Sequence, residues 1–130
     1  MSRRIPQVLT ALLGLLLAGP FALGWLFSPE TSSAREGISL SGPAAFSHMR
    51  GDTGGVFFAV GALALVGLFR GQPGYLEAVA AIMVGVLAGR LLGIGLDGYA
   101  PQIGVAMAVE LVTAAATFYT ARQLRAEGAR

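Results

Sequence analysis

Four stretches of this chain are long, apolar and almost free of charge, and short polar segments separate them. A helix rises 1.5 Å per residue, so crossing a ~30 Å hydrocarbon layer takes about 20 such residues. The first stretch, 8–27, carries no charge. The second, 54–69, is short for a span, but Ser41-Gly42-Pro43 upstream is a suitable helix start and extends it back to 43. The third, 76–96, holds Arg90, and the fourth, 103–121, holds Glu110. Ser28-Pro29, Gly71-Gln72-Pro73-Gly74 and Asp97-Gly98-Tyr99-Ala100-Pro101 interrupt the joins. The stretches are rich in Ala and Leu and do not alternate, which argues against strands. The pattern predicts an all-α, antiparallel four-helix membrane bundle, with residues 1–130 as one domain.

A secretory leader is the competing reading of the first stretch. Arg3-Arg4 precede the apolar residues Val8–Ala18, and Ala22-Leu23-Gly24 resembles a cleavage site. The apolar run continues through Trp25, Leu26 and Phe27, beyond the 7–15 residues typical of a leader's core. The first helix is therefore expected to be retained.

Composition strengthens the membrane reading. Charged residues make up only 12% of the chain, against about 25% in soluble domains, which must wet a large surface. Every one of the nine basic residues is Arg. At a net charge of +2 they are scattered, with no concentrated basic face for nucleic acid. The absence of Cys excludes thiol chemistry and thiolate metal sites, and a single His builds no His-rich metal centre. The positive-inside rule sets orientation. Arg3, Arg4, Arg70, Arg122, Arg125 and Arg130 fall on the side of the termini, against Arg35 and Arg50 opposite, with Arg90 near that end. Both termini are expected in the cytoplasm, in a bacterial inner membrane.

Lipid supplies no hydrophobic force between helices, so they associate where small residues let backbones approach. The chain has 19 Gly, and several recur at four-residue spacing. Ala81, Gly85, Gly89 and Gly93 mark the third helix, Gly14, Ala18 and Ala22 the first, and Gly55 and Ala59 the second. These faces are expected to pack inside the bundle. Gly19-Pro20 predicts a kink in the first span.

The charges inside the spans are the candidate chemistry. By helical rise, Arg90 and Glu110 both lie ~10 Å from the end marked by Asp97–Pro101. Their helices are antiparallel neighbours, so the two are expected to pair. Arg90, Gly93 and Asp97 share a stripe, and Glu110, Thr113, Thr117 and Thr120 share another. Arg50 and Asp52 enter the second helix at the same end, with His48 a turn earlier. Arg50, Asp52, Arg90, Asp97 and Glu110 are thus expected to converge, with His48, Tyr99 and Thr113 as accessory positions. Such a cluster is either a structural lock or a binding site. Glu77 suits a helix first turn and reads as structural. Arg50-Gly51-Asp52 is too short to mark an adhesion motif. Gly51–Gly55 lacks the Lys-Ser/Thr of a phosphate loop, and Asp52 with Asp97 lacks a nucleophile–base pair.

These polar positions also carry a likeness. Arg50-Gly51 with Gly54-Gly55, Gly89-Arg90-Leu91, Asp97-Gly98 and Glu110 resemble an uncharacterised bacterial family of small four-helix membrane proteins, the domain-of-unknown-function family numbered 4345. The resemblance runs from about Phe46 to Arg125 and implies fold and membrane location, with no activity attached. The 28–45 connection is expected to depart from the family.

The leading functional expectation is a non-enzymatic protein that binds a small ligand, a lipid headgroup or a partner at the charged end. No catalytic residue, cofactor or metal ligand set is expected. A small transporter gated by Arg90–Glu110 is the alternative, although small four-helix exporters use a first-span Glu that is missing here. Its partners would be the lipid bilayer and a ligand, a second copy or a larger membrane complex, and not nucleic acid. Topology has a direct test. A fluorescent reporter that matures only in the cytoplasm, fused after Arg130, should give signal, and a phosphatase active only outside should be silent. An active phosphatase would reverse the orientation.

Overall fold

The computed structural model describes residues 4–128. Arg3 and Arg130, two of the arginines counted for orientation, lie outside the described residues. Four helices are long and apolar enough to cross a membrane: α1 Arg4–Phe27, α3 Gly42–Phe69, α4 Pro73–Asp97 and α5 Pro101–Gly128. A short helix, α2 Pro29–Arg35, lies in the 28–45 connection. No strand occurs among the described residues.

Local chemistry explains the boundaries. Pro29, Pro43, Pro73 and Pro101 stand in the first turn of a helix, where a missing N–H costs nothing. α2 and α3 end in the same motif. Gly37 and Gly71 take φ of +74° and +63°, which lets Ile38 donate to Ser33 O and Gln72 to Gly67 O, satisfying late helical carbonyls. Pro20 breaks the regular winding of α1. Leu17–Phe21 widens to π geometry, and Gly19 leaves helical dihedrals at φ −92°, ψ −110°. α3 has a second wide segment, Met49–Gly55.

The helices form a ring in which α1 packs on α3 and α5, and α4 packs on the same two. Its core is thin: Leu17, Val60, Ala64, Val79, Met83 and Ala114, flanked by Phe57, Leu63 and Val109. Large apolar side chains point outward instead, with Leu12 59% and Leu92 64% exposed, as a bilayer requires. The tightest seam joins α1 to α3. A Cβ added at Gly61 would clash with Ala18 N and lie 2.6 Å from Gly14 O, so only glycine allows the crossing. Nearer the connection, Gly54 admits Leu26, and at the other end Gly67 admits Leu76 of α4.

Two of the expected packing faces are corrected. Around Gly85, Gly89 and Gly93 an added Cβ would meet nothing within 4 Å, so the small stripe of α4 faces away from the bundle. The small residues of α3 that make contact are Gly54, Gly61, Ala64 and Gly67, whereas Gly55 meets only its own helix and Ala59 is exposed. The reason on α4 is rotational. Leu76, Val79, Ala80 and Met83 turn inward there, and at 100° per residue Gly85 and Gly89 fall on the far side and Gly93 on the flank.

At the end away from the termini, the two hairpins part. Residues 17–55 pack almost wholly within the α1–α3 pair, and the second half of α4 packs on α5. α4 has no buried residue beyond Met83, and α5 has none before Glu110. The result is a furrow between the hairpins, on whose α4–α5 side the inward faces bear the half-buried Ile94, Ile103 and Met107.

The packing gives a paired prediction. Gly61→Leu should abolish the folded bundle in detergent by forcing α1 and α3 apart. Gly89→Leu should leave thermal stability within about 0.5 kcal/mol, as expected at a position that touches nothing. A severe loss from Gly89→Leu in the monomeric particle would show that α4 is rotated differently.

Candidate functional site

The ion pair sits where the hairpins begin to part. Arg90 Nε donates to both carboxylate oxygens of Glu110, at 2.7 and 2.9 Å. The Glu110 side chain is 4% exposed and that of Arg90 32%, so the carboxylate is enclosed while the guanidinium is partly open. An unpaired carboxylate at this depth would be strongly destabilising, and a charge-assisted contact offsets that cost. Only Nε is engaged. The four Nη hydrogens of Arg90 find no acceptor among the described residues.

Below Glu110 the polar stripe of α5 is buried and self-satisfied. Thr113 Oγ1 donates to Val109 O at 2.7 Å, and Thr117 Oγ1 to Thr113 O at 2.8 Å. Thr120 and Thr10 share a hydroxyl–hydroxyl bond of 3.0 Å between α5 and α1. Back-bonding to the preceding turn occupies the Thr113 and Thr117 donors, so the stripe needs no water to be satisfied.

The other proposed site residues do not join the pair, and the expected five-charge cluster is not formed. Arg50 Nε donates to Leu26 O at 3.0 Å, capping the last turn of α1, while its guanidinium lies over the Phe46 ring. Asp52, in the wide segment of α3, pairs with Nδ1 of His48 just before it at 2.9 Å, and both are well exposed. These residues belong to the α1–α3 hairpin, and the parting of the hairpins is what separates them from Arg90. Asp97, the last residue of α4, is exposed and makes no side-chain bond among the described residues. Tyr99 is exposed too, but its hydroxyl lies over Gly104, where a Cβ would come within 2.5 Å of it.

One contact was missed by the sequence reading. Arg125 donates through Nε and Nη2 to the two carboxylate oxygens of Glu77, each at 2.6 Å. It ties the far ends of α4 and α5 together. The depth count that matches Arg90 with Glu110 would have found it, had it been continued down the same hairpin.

Fold and pair define a class: a small multi-pass membrane protein of four helices, with an ion pair buried between the last two. The chain belongs to the family described as "Domain of unknown function (DUF4345)", whose model matches residues 5–121. The match begins well before Phe46, so it takes in α1 and extends further than the expected resemblance. Neither a curated protein nor a solved structure matches the chain.

The pair is tested by a double-mutant cycle read as thermal stability in detergent. Arg90→Leu and Glu110→Leu should each cost about 3–5 kcal/mol, because each strands one charge. The double variant should recover most of that loss. Strictly additive losses would mean that the two charges act independently.

Proposed function

We propose that this chain is a non-enzymatic binding protein of the bacterial inner membrane, with both termini in the cytoplasm. Its ligand enters the furrow sideways from the lipid and is held by Arg90. The observation that carries this reading is the one-nitrogen attachment of Arg90. Glu110 fixes the position of the guanidinium while leaving its Nη edge free, which is how a protein presents a donor fork in an apolar setting. A pure lock would gain more by using both edges, as Arg125 does with Glu77.

Two further observations favour alternatives. The wide segments of α1 and α3 lie in the half of the bundle that bears the furrow, and interrupted helices accompany transport pathways. A transporter would open and close the Arg90–Glu110 pair during its cycle. The open small-residue face of α4 would suit a second copy or a larger assembly to which this chain is an accessory subunit.

The binding reading is tested by what co-purifies. Wild-type protein and the Arg90→Gln/Glu110→Gln variant, whose pair stays polar but uncharged, are extracted in mild detergent. The molecules released on denaturation are then identified by mass spectrometry. An amphiphile bearing an acceptor group should be enriched several-fold in the wild type. Equal recovery of every amphiphile from both proteins would refute the reading.

A further inference from the structure

We infer that the occupant of the furrow is a phospholipid with a primary-amine headgroup, its phosphate on Arg90 and its ammonium on Asp97. The inference rests on the binding role proposed for Arg90 and goes on to specify the headgroup.

Asp97 carries the new information. On α4 it stands seven residues after Arg90, which returns it to within about 20° of the same face. That face is the inward one, shared with Val79 and Met83. A carboxylate on the inward face of a bundle helix would normally be enclosed, yet Asp97 is exposed and unbonded among the described residues, because the hairpins have parted there. The furrow therefore has an anion at its rim and a cation deeper in, on one helical stripe.

The order of charges along the furrow selects the ligand. At one depth the protein offers Glu110 (negative) and Arg90 (positive) side by side, and nearer the rim Asp97 (negative). A zwitterion with its anionic group deeper, on the free edge of Arg90, and its cationic group at the rim matches both. A purely anionic headgroup would satisfy Arg90 but set its outer part against Asp97. The two residues rise ~10.5 Å apart along one helical face, so a single headgroup lies between them. The bonding at Asp97 also separates amine from quaternary ammonium, since only the former has N–H donors for a carboxylate. The apolar side chains of Ile94, Ile103 and Met107 offer a surface to the acyl chains.

The test uses the full-length protein in nanodiscs or mixed micelles containing equal amounts of phosphatidylethanolamine, phosphatidylcholine and phosphatidylglycerol with identical acyl chains. Retained lipids are counted by native mass spectrometry. The wild type should retain phosphatidylethanolamine over phosphatidylcholine by roughly tenfold, the ratio expected for one charge-assisted hydrogen bond. Asp97→Asn should reduce that preference severalfold while leaving the lipid-free melting temperature unchanged. Equal retention of phosphatidylethanolamine and phosphatidylcholine, or a preference for phosphatidylglycerol, would overturn the headgroup assignment. If such retention still depended on Arg90, the binding role would stand without it. No Arg90-dependent retention of any lipid would remove the lipid assignment, whereas the co-purification experiment decides separately whether Arg90 binds an amphiphile at all.

Discussion

A carboxylate buried at the depth of Glu110 has few ways to exist, and the one chosen here shapes the second half of the molecule. α4 is apolar around most of its circumference, so amphipathicity does little to fix its rotation. Arg90 does. To reach Glu110 it must turn toward α5, and the residues on its face, Met83, Val79 and Leu76, turn inward with it. Seen this way, the core layer of the α4–α5 hairpin follows from one charge pair. The Glu77–Arg125 contact repeats the restraint at the far end, so the hairpin is pinned at two depths. The bidentate pair is the more exposed of the two, and exposed pairs contribute little net stability. The buried pair is the one whose disruption the fold cannot absorb.

The first hairpin is held by different means. Among the described residues no ion pair joins α1 to α3, and contact depends on the absence of side chains. Gly61 lets the backbones of Gly14 and Ala18 approach, and the buried Ala22 continues the small face of α1. Backbone polar atoms provide the rest: Arg50 reaches across to the last turn of α1 through Leu26 O. One hairpin is thus joined by close van der Waals approach and the other by charge. Close approach at Gly67 and the Thr10–Thr120 bond join the hairpins at the end of the termini, but beyond the shared core around Val60, Met83 and Ala114 neither mechanism links them toward the other end. That is the physical origin of the furrow.

Much of this was legible in the sequence, and the failures have a common cause. Span number, helical class, the kink at Gly19-Pro20 and the matching depths of Arg90 and Glu110 all follow from hydropathy, helical rise and breakers. The rotation of α4 did not follow, although the information was present. Placing both Arg90 and Gly89 inside the bundle makes two adjacent residues share one face, but a helix sets them 100° apart. The charge pair had to win, because an unpaired charge in lipid costs several kcal/mol while a glycine facing lipid costs little. The five-charge cluster failed for another reason. Depth along a helix can be counted from sequence, but the lateral distance between hairpins cannot. Arg50 and Asp52 have the right depth and the wrong side of the furrow.

The same distinction bears on how the site residues are to be read. Arg50 and Arg90 are both arginines near one end of a membrane bundle, and composition gives no ground for separating them. Their Nε partners do. Arg50 donates to a main-chain carbonyl that a helix terminus always leaves open, so it completes a structural element that exists without it. Arg90 donates to a carboxylate that would not be tolerated there alone. An arginine held in that way cannot be replaced by lysine without losing either the bond to Glu110 or the free edge, because an ammonium has no second, geometrically fixed set of donors. The furrow places that free edge where lipid tails, poor in acceptors, would otherwise meet it. On the binding role proposed above, an acceptor on the ligand meets that edge.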